Sequence, residues 1–290
     1  HESFKAHTTA SNNTAVGTNS LVANTTGAYN TGIGVNAFSA LTTGAQNTSL
    51  GYAAGQGCTG ASSFNVAIGD ETMLASGEKS YNTAVGSDAL RANTTASNNT
   101  AVGYSALAAN TTGDVNTAVG QSALYNNTTA SDNSALGREA LFTNTTGASN
   151  TAMGNASLYN NTTASNNSAF GYQALFANTT GYDNVAVGRN ALDANTTGYQ
   201  HVAIGEGALT SNSTGYRNTA VGQGALSLCT TGLENTAVGQ NAANDISTGS
   251  YNVAIGQNSL AACSTGSANV AIGVNALDAN TTANNNVAVG

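Results

Sequence analysis

The chain has 290 residues, with 6 basic and 14 acidic side chains, a formal net charge of −8, 34 glycines, no proline and no tryptophan. Its acidity argues against nucleic acid as a partner. No apolar run approaches the roughly 20 residues of a membrane helix, and glycine spaced at seventeen residues rather than three excludes collagen.

The segment Asn116-Thr117-Ala118-Val119-Gly120 recurs in some version from end to end. Its closing glycine stands at Gly17, Gly34, Gly51, Gly69, Gly86, Gly103, Gly120 and onward to Gly290, always 17 residues apart except for 18 between Gly51 and Gly69. A unit this short cannot bury a core alone, so each copy must lean on its neighbours. The predicted fold class is therefore all-β: a parallel β-solenoid of about 17 rungs over residues 1–290, with no globular domain and one irregular stretch at about 51–81. The array starts just after a motif glycine and ends on one, without an atypical capping repeat, which predicts a segment of a longer fibre or a unit that stacks end to end.

With the motif asparagine as position 1, the repeats form an internal substitution series. Position 2 is Thr, Ser or Val, residues that suit a pleated strand. Position 4 is always apolar (Val, Ile, Leu, Met153, Phe170), which predicts that it faces a core. Position 3 then points the other way, yet it is Ala apart from Gly32 and Ser49. So small a face predicts another surface packed against it, a neighbouring chain in preference to a second sheet of the same coil. Position 5 is invariably glycine, as a left-handed backbone or a close approach of chains requires. Position 9 is nearly always Leu, varied by Phe38, Gly55, Met73 and Ala243, and joins the core. Position 12 is usually Asn but also Leu41, Cys58, Cys229, Ile246 and Cys263, which predicts an inward side chain whose amide stacks on the next rung. Charges gather at positions 6, 7, 10, 16 and 17, the predicted solvent face. Two short strands per rung are expected, the second less strongly marked than the motif strand. Between Gly51 and Tyr81 the period slips, the core Leu becomes Gly55 and the Thr pair is lost at Gly77-Glu78, so a bulge or looped-out rung is expected.

The Asn-Thr/Ser-Ala-Val/Ile-Gly motif, as in Asn65-Val66-Ala67-Ile68-Gly69 and Asn252-Val253-Ala254-Ile255-Gly256, resembles the head repeats of trimeric autotransporter adhesins. The longer form, Gly171-Tyr172-Gln173-Ala174-Leu175-Phe176-Ala177-Asn178-Thr179-Thr180-Gly181, also resembles repeats of phage tail fibres and of bacterial surface proteins. The resemblance covers nearly the whole chain. It implies a secreted or surface-displayed fibre, a trimer of β-rolls whose motif strands line the shared core, and contact with host matrix or other cells. This repeat is longer than the usual adhesin head repeat, and no stalk or membrane-anchoring barrel accompanies it.

Catalytic chemistry is not encoded. His1, His7 and His201 are the only histidines, and His201 stands in a position-1 asparagine slot as an isostere. The acidic residues are scattered without a carboxylate pair. Neither a glycine-rich calcium repeat nor a phosphate-cradling Gly-Lys-Ser/Thr is present. The expectation is no enzyme, no cofactor and no metal. Cys229 and Cys263 lie two rungs apart, roughly 9.6 Å by strand spacing, beyond the reach of about 7 Å for a disulfide. All three cysteines are expected to be free and buried, which leaves the redox compartment open. Sequons recur at position 12 (Asn24, Asn93, Asn110 and seven more) and elsewhere, at Asn12, Asn47, Asn98 and Asn166 among others. The inward reading of position 12 weighs against glycans there.

Two aromatic lines and one threonine line complete the candidate surface. Tyr125, Phe142, Tyr159 and Phe176 share position 10, and Tyr182, Tyr199 and Tyr216 share position 16. Rings one rung apart stabilise one another, or form a strip for flat sugar faces. Thr94, Thr111, Thr128, Thr145, Thr162, Thr179 and Thr196 line up at position 13, as turn-stabilising hydroxyls or, alternatively, as an ice-facing array. The reading that follows is a structural and adhesive extracellular or cell-surface fibre, associating with itself laterally or end to end, with carbohydrate or a cell-surface ligand on its rim. Ice binding and a phage tail-fibre shaft are the alternatives.

Overall fold

A computed structural model of the chain describes residues 2–75 and 77–290; His1 lies outside them. The fold is an all-β parallel solenoid with one three-residue strand per rung and no helix among the described residues. It comprises two compact units, His1–Ala148 and Ser149–Gly290. The first carries β1 (Thr14–Val16) to β8 (Ser134–Leu136), and the second carries β9 (Thr151–Met153) to β17 (Val287–Val289). Within each unit consecutive strands pair in parallel, every strand residue beside its equivalent on the next rung: Ala101 beside Ala118 in the first, Ala220 beside Ala237 in the second.

The surplus residue does not disturb the ladder. Thr48 pairs with Val66, 18 positions on. The Thr42 hydroxyl donates to Gly60 O, 18 positions on, and the Asn47 amide to Ser62 O, so the repeat frame is regained at Gly60. The extra length is absorbed between Cys58 and Gly60, and no rung is looped out among the described residues.

The second strand expected in each rung is absent among the described residues. Positions 6–11 form a chain of turns in which positions 7 and 9 are left-handed, as at Ser122 (φ 55°) and Leu124 (φ 52°). A left-handed residue other than glycine costs roughly 1–2 kcal/mol. Burial of the Leu side chain and ladder bonds offset that cost. The Ser122 N–H donates to Tyr104 O of the preceding rung at 2.9 Å, and the Leu124 N–H donates to Ala140 O of the following rung at 2.9 Å. Alternating donation up and down keeps the arch hydrogen-bonded without extended backbone.

The two faces of the motif strand are the reverse of those expected. Position 3 faces inward: Ala101, Ala118, Ala186 and Ala220 are fully buried. Position 4 faces outward, with Val16 56% and Leu50 48% exposed. The reason is room. A Cβ on Gly32 would lie 2.7 Å from Ser20 Oγ and 3.2 Å from Leu21 Cγ, so the arch of positions 8 and 9 closes over position 3, which holds only Ala, Gly32 and the fully buried Ser49. The surface packed against that small face is the arch of the same coil, neither a neighbouring chain nor a second sheet. The interior is thus a thin layer of alanine from positions 3 and 8, leucine from position 9, and asparagine from positions 1 and 12.

The motif glycine is required twice over. At Gly120, φ is 133° and an added Cβ would stand 2.6 Å from Gly137 O on the next rung.

Candidate functional site

The aromatic lines form stacks within each unit. Tyr125 and Phe142 lie 5.3 Å apart and 8° from parallel in the first unit; in the second, Tyr159 and Phe176 lie 5.4 Å apart. Tyr182, Tyr199 and Tyr216 form a continuous stack at 5.0 and 5.1 Å, and Arg217 sets its guanidinium 5.7 Å from the Tyr216 ring. Each spacing is one rung, so the coil brings the rings face to face. A further pair, Phe64 and Tyr81, stacks at 4.9 Å on position 17. Their separation by one rung was readable, but Tyr29 and Tyr251 elsewhere on position 17 have no aromatic successor and obscured it.

The threonine line is occupied by the coil itself. Thr94 donates its hydroxyl hydrogen to Thr111 O, Thr111 to Thr128 O, and Thr128 to Thr145 O, at 2.9–3.1 Å. In the second unit Thr162 donates to Thr179 O, Thr179 to Thr196 O, and Thr196 to Ser213 O. These hydroxyls brace a turn.

Two asparagine ladders run through the interior where the sequence pointed to one. At position 12, Asn127 donates to Asn110 Oδ1 of the preceding rung (2.8 Å) and to Ala130 O of its own turn (2.9 Å). At position 1, Asn116 accepts the Asn133 N–H at 3.0 Å and donates to Ala130 O at 2.8 Å. The position-12 ladder loosens where the next side chain cannot donate. Asn24 precedes Leu41, and its Oδ1 is buried without a partner; Asn212 precedes Cys229 and turns its amide toward the sulfur at 4.0 Å, and the Oδ1 atoms of Asn212 and of Asn195 before it are likewise buried without a partner. Position-12 asparagines Asn24, Asn93, Asn110, Asn127, Asn144, Asn161, Asn178, Asn195 and Asn212 are buried, as is Asn47, so these sequons face inward, whereas Asn12, Asn98 and Asn166 are exposed.

His201 reproduces the position-1 pattern with an imidazole. Its Nε2–H donates to Gly215 O at 2.8 Å, and its Nδ1 accepts the Asn218 N–H at 3.2 Å. Burial pushes its pKa down to about 4, with the bond to Gly215 pulling the other way. Cys58, Cys229 and Cys263 are free and buried. Burial raises the Cys58 and Cys229 thiols to about 11 and raises Cys263 also, so they are poor nucleophiles. Lys79, on the normally small position 15, was not anticipated. It is 2% exposed and spans rungs by donating to the Ala75 and Asn93 carbonyl oxygens; burial lowers its pKa. No cluster of three or more metal-ligating side chains occurs among the described residues.

The outward strand face repeats its composition from rung to rung. In the first unit position 4 supplies Val16, Ile33, Leu50 and Leu136 at 37–56% exposure, flanked by Thr14, Thr31, Thr48 and Ser134 at position 2. In the second unit Met153, Ile204, Val238, Ile255 and Ile272 play the same part at 37–40%. Ion pairs lie on the arch and rim, such as Arg189 with Glu206 and Arg91 with both Glu71 (3.0 Å) and Asp88 (3.3 Å). Comparison with protein-family models gave no match, and comparison with curated proteins gave no match either.

Proposed function

We propose that this chain is a structural and adhesive fibre segment, extracellular or displayed at a cell surface, and that its motif-strand face joins it laterally to further copies of itself. The observation that carries this reading is the outward position-4 line. An apolar side chain every rung, on one sheet face, is far more than scattered surface hydrophobics. The coil closes its own core with position 3, so its interior does not use this line. A second copy fits because its face has the same rung spacing and the same alternation of Thr and Val. The resemblance to adhesin heads, in which motif strands line a trimeric core, and to tail-fibre repeats supports the same arrangement. On this reading the chain has no catalytic role, and rim residues supply any contact with other surfaces.

Sedimentation velocity and negative-stain microscopy of the purified chain test this. The expected species is a dimer, trimer or longer assembly of the 28.6 kDa chain. Val16→Lys with Leu50→Lys and Leu136→Lys should return it to one chain while leaving the circular dichroism unchanged. A chain that stays monomeric at high concentration overturns the proposal.

Ice binding is a second reading favoured by one observation: triplets such as Thr117-Ala118-Val119 set Thr and Val together on the outward face. Thermal hysteresis and ice shaping by the monomeric lysine variant's parent would support it, and their absence would remove it.

A further inference from the structure

We propose that the first unit carries a binding site for a neutral saccharide, in the cleft where the position-10 line is interrupted at Ala108. Positions 10 and 11 are both alanine in only two rungs, Ala108-Ala109 and Ala261-Ala262. A cleft opens at each, of about 570 Å³ in the first unit and about 410 Å³ in the second. The clefts are therefore the space of missing side chains on an otherwise filled surface.

The two differ in their walls. At Ala108 the cleft is bounded by Tyr125 on the following rung, by Arg91 and Asp88 on the preceding one, and by the 55% exposed Tyr104 at the side. Tyr125 gives one ring face to Phe142. Its other face looks toward the slot of Ala108, where a further ring of the stack would stand. Arg91 and Tyr125 are two rungs apart, roughly 9.6 Å, so the gap is one ring thick.

A pyranose suits that gap. Its C–H face lies on Tyr125 as another ring would, and its hydroxyl edge meets a donor and an acceptor side by side. Arg91 is held by Glu71 and Asp88 at 3.0 and 3.3 Å, so its guanidinium is fixed with donors to spare. The two carboxylates against one guanidinium leave the wall negative, which selects a neutral sugar over an acidic one. The second cleft, walled by Asn244, Asp245 and Asp278, has no aromatic side chain and serves as an internal control. This inference deepens the rim-contact part of the proposed function and does not depend on self-association.

The test uses the whole chain and neutral trisaccharides of glucose, mannose, galactose and N-acetylglucosamine, with a uronic-acid trisaccharide for comparison. Binding is read by titration calorimetry and by the NMR signals of the Ala108 methyl group and the Tyr125 ring. At least one neutral trisaccharide should bind and shift both signals. Ala108→Tyr extends the existing stack, should fold without loss of thermal stability, and should weaken binding about tenfold or more. Ala261→Tyr should leave binding unchanged. Tyr125→Ala, checked for fold by circular dichroism, should also weaken it. The proposal is overturned if no neutral trisaccharide binds at millimolar concentration, if the uronic acid binds better, or if Ala108→Tyr binds as well as the original. Sedimentation run alongside reports on the fibre reading separately, because Ala108 lies on the arch and not on the strand face.

Discussion

His201→Asn isolates one buried titration in a coil of otherwise repeated chemistry. The imidazole is fully buried in a line of asparagines, giving one hydrogen bond and receiving one. A proton added at Nδ1 would face the Asn218 N–H and find no acceptor. The folded pKa of about 4 lies below the ordinary 6.5. The sign follows from linkage. Above pH 6.5 the ring is neutral whether folded or not, and no pH dependence arises. Between 6.5 and about 4 the unfolded chain takes up a proton that the native state refuses, so stability falls as pH falls; below about 4 the loss is complete. The shift from 6.5 to about 4 corresponds to about 3 kcal/mol.

Asparagine fills the equivalent slot at Asn184 and Asn218, bonding to Gly198 O and Gly232 O as His201 bonds to Gly215 O. His201→Asn should therefore fold normally, differ little in stability at pH 7, and lack the His201 share of acid destabilisation. Guanidinium unfolding of both proteins at pH 7 and pH 4 measures it as a difference of differences, in which contributions common to both proteins cancel. NMR titration of the ring reads the same quantity directly. Parallel loss of stability in the two proteins, or a ring titrating near 6.5, would refute the reasoning.

Three further outcomes are expected. Gly55→Leu should destabilise by about 1–3 kcal/mol through overpacking, because its Cβ would meet Phe38 Cε1 at 2.2 Å; adding Phe38→Leu should recover most of that, a coupling that thermal unfolding of the double-mutant cycle would show. Gly120→Ala should cost about 2 kcal/mol or more, with a Cβ 2.6 Å from Gly137 O, whereas Gly207→Ala, whose Cβ meets nothing within 4 Å, should cost about 1 kcal/mol for its left-handed φ alone; equal melting temperatures for the two would contradict this. In the single-chain background of the three lysine substitutions, Ala118→Val should destabilise by about 1–3 kcal/mol and Val119→Thr by less, since the first enters a closed interior and the second the outward face; the reverse order in denaturant unfolding would restore the inside-outside assignment drawn from the sequence.

Much of the fold was legible because the repeat is its own substitution series. The invariant glycine, the Leu line and the Asn, Leu, Ile and Cys exchange at position 12 each correspond to one physical demand in the coil. The strand faces were misread because apolarity was taken to mean inward. The interior selects for size as much as polarity, and it is too shallow at position 3 for anything beyond Ala, Gly32 or Ser49. The arch was misread as a strand because its left-handed residues include Leu124 and its equivalents, which no propensity argument places at positive φ. The Ala108 cleft was invisible for another reason. It exists only through what neighbouring rungs place around a missing side chain, while the sequence shows Ala108, Arg91 and Tyr125 as three separate variations on a tolerant position. The same holds for Phe38 with Gly55 and for Ser20, whose hydroxyl donates to Gly32 O at 2.7 Å: each pair looks like two exceptions until contact joins them.

The inversion of the strand faces changes what the exposed line means. Had Val119 and its equivalents filled the core, their apolar character would need no further explanation. Instead the core is closed by alanine, leucine and paired amides, and hydrogen bonds between rungs complete the coil. A solvated strand face tolerates Thr, Lys or Glu at position 4 without loss to that interior, yet position 4 never carries a polar residue in any of its 17 occurrences, though position 2 on the same face accepts Thr and Ser freely. Two positions sharing one face, one polar-tolerant and one not, are what a surface covered along the position-4 edge would produce. On the proposed self-association, each outward Val, Ile or Leu would meet its own kind at every rung, and burial of each would contribute at roughly 25 cal/mol per Å² of apolar area removed from water. Many small increments of that kind, set by the repeat number, would make lateral association steep in length. Shortening the array should therefore weaken assembly far more than it weakens the individual coil.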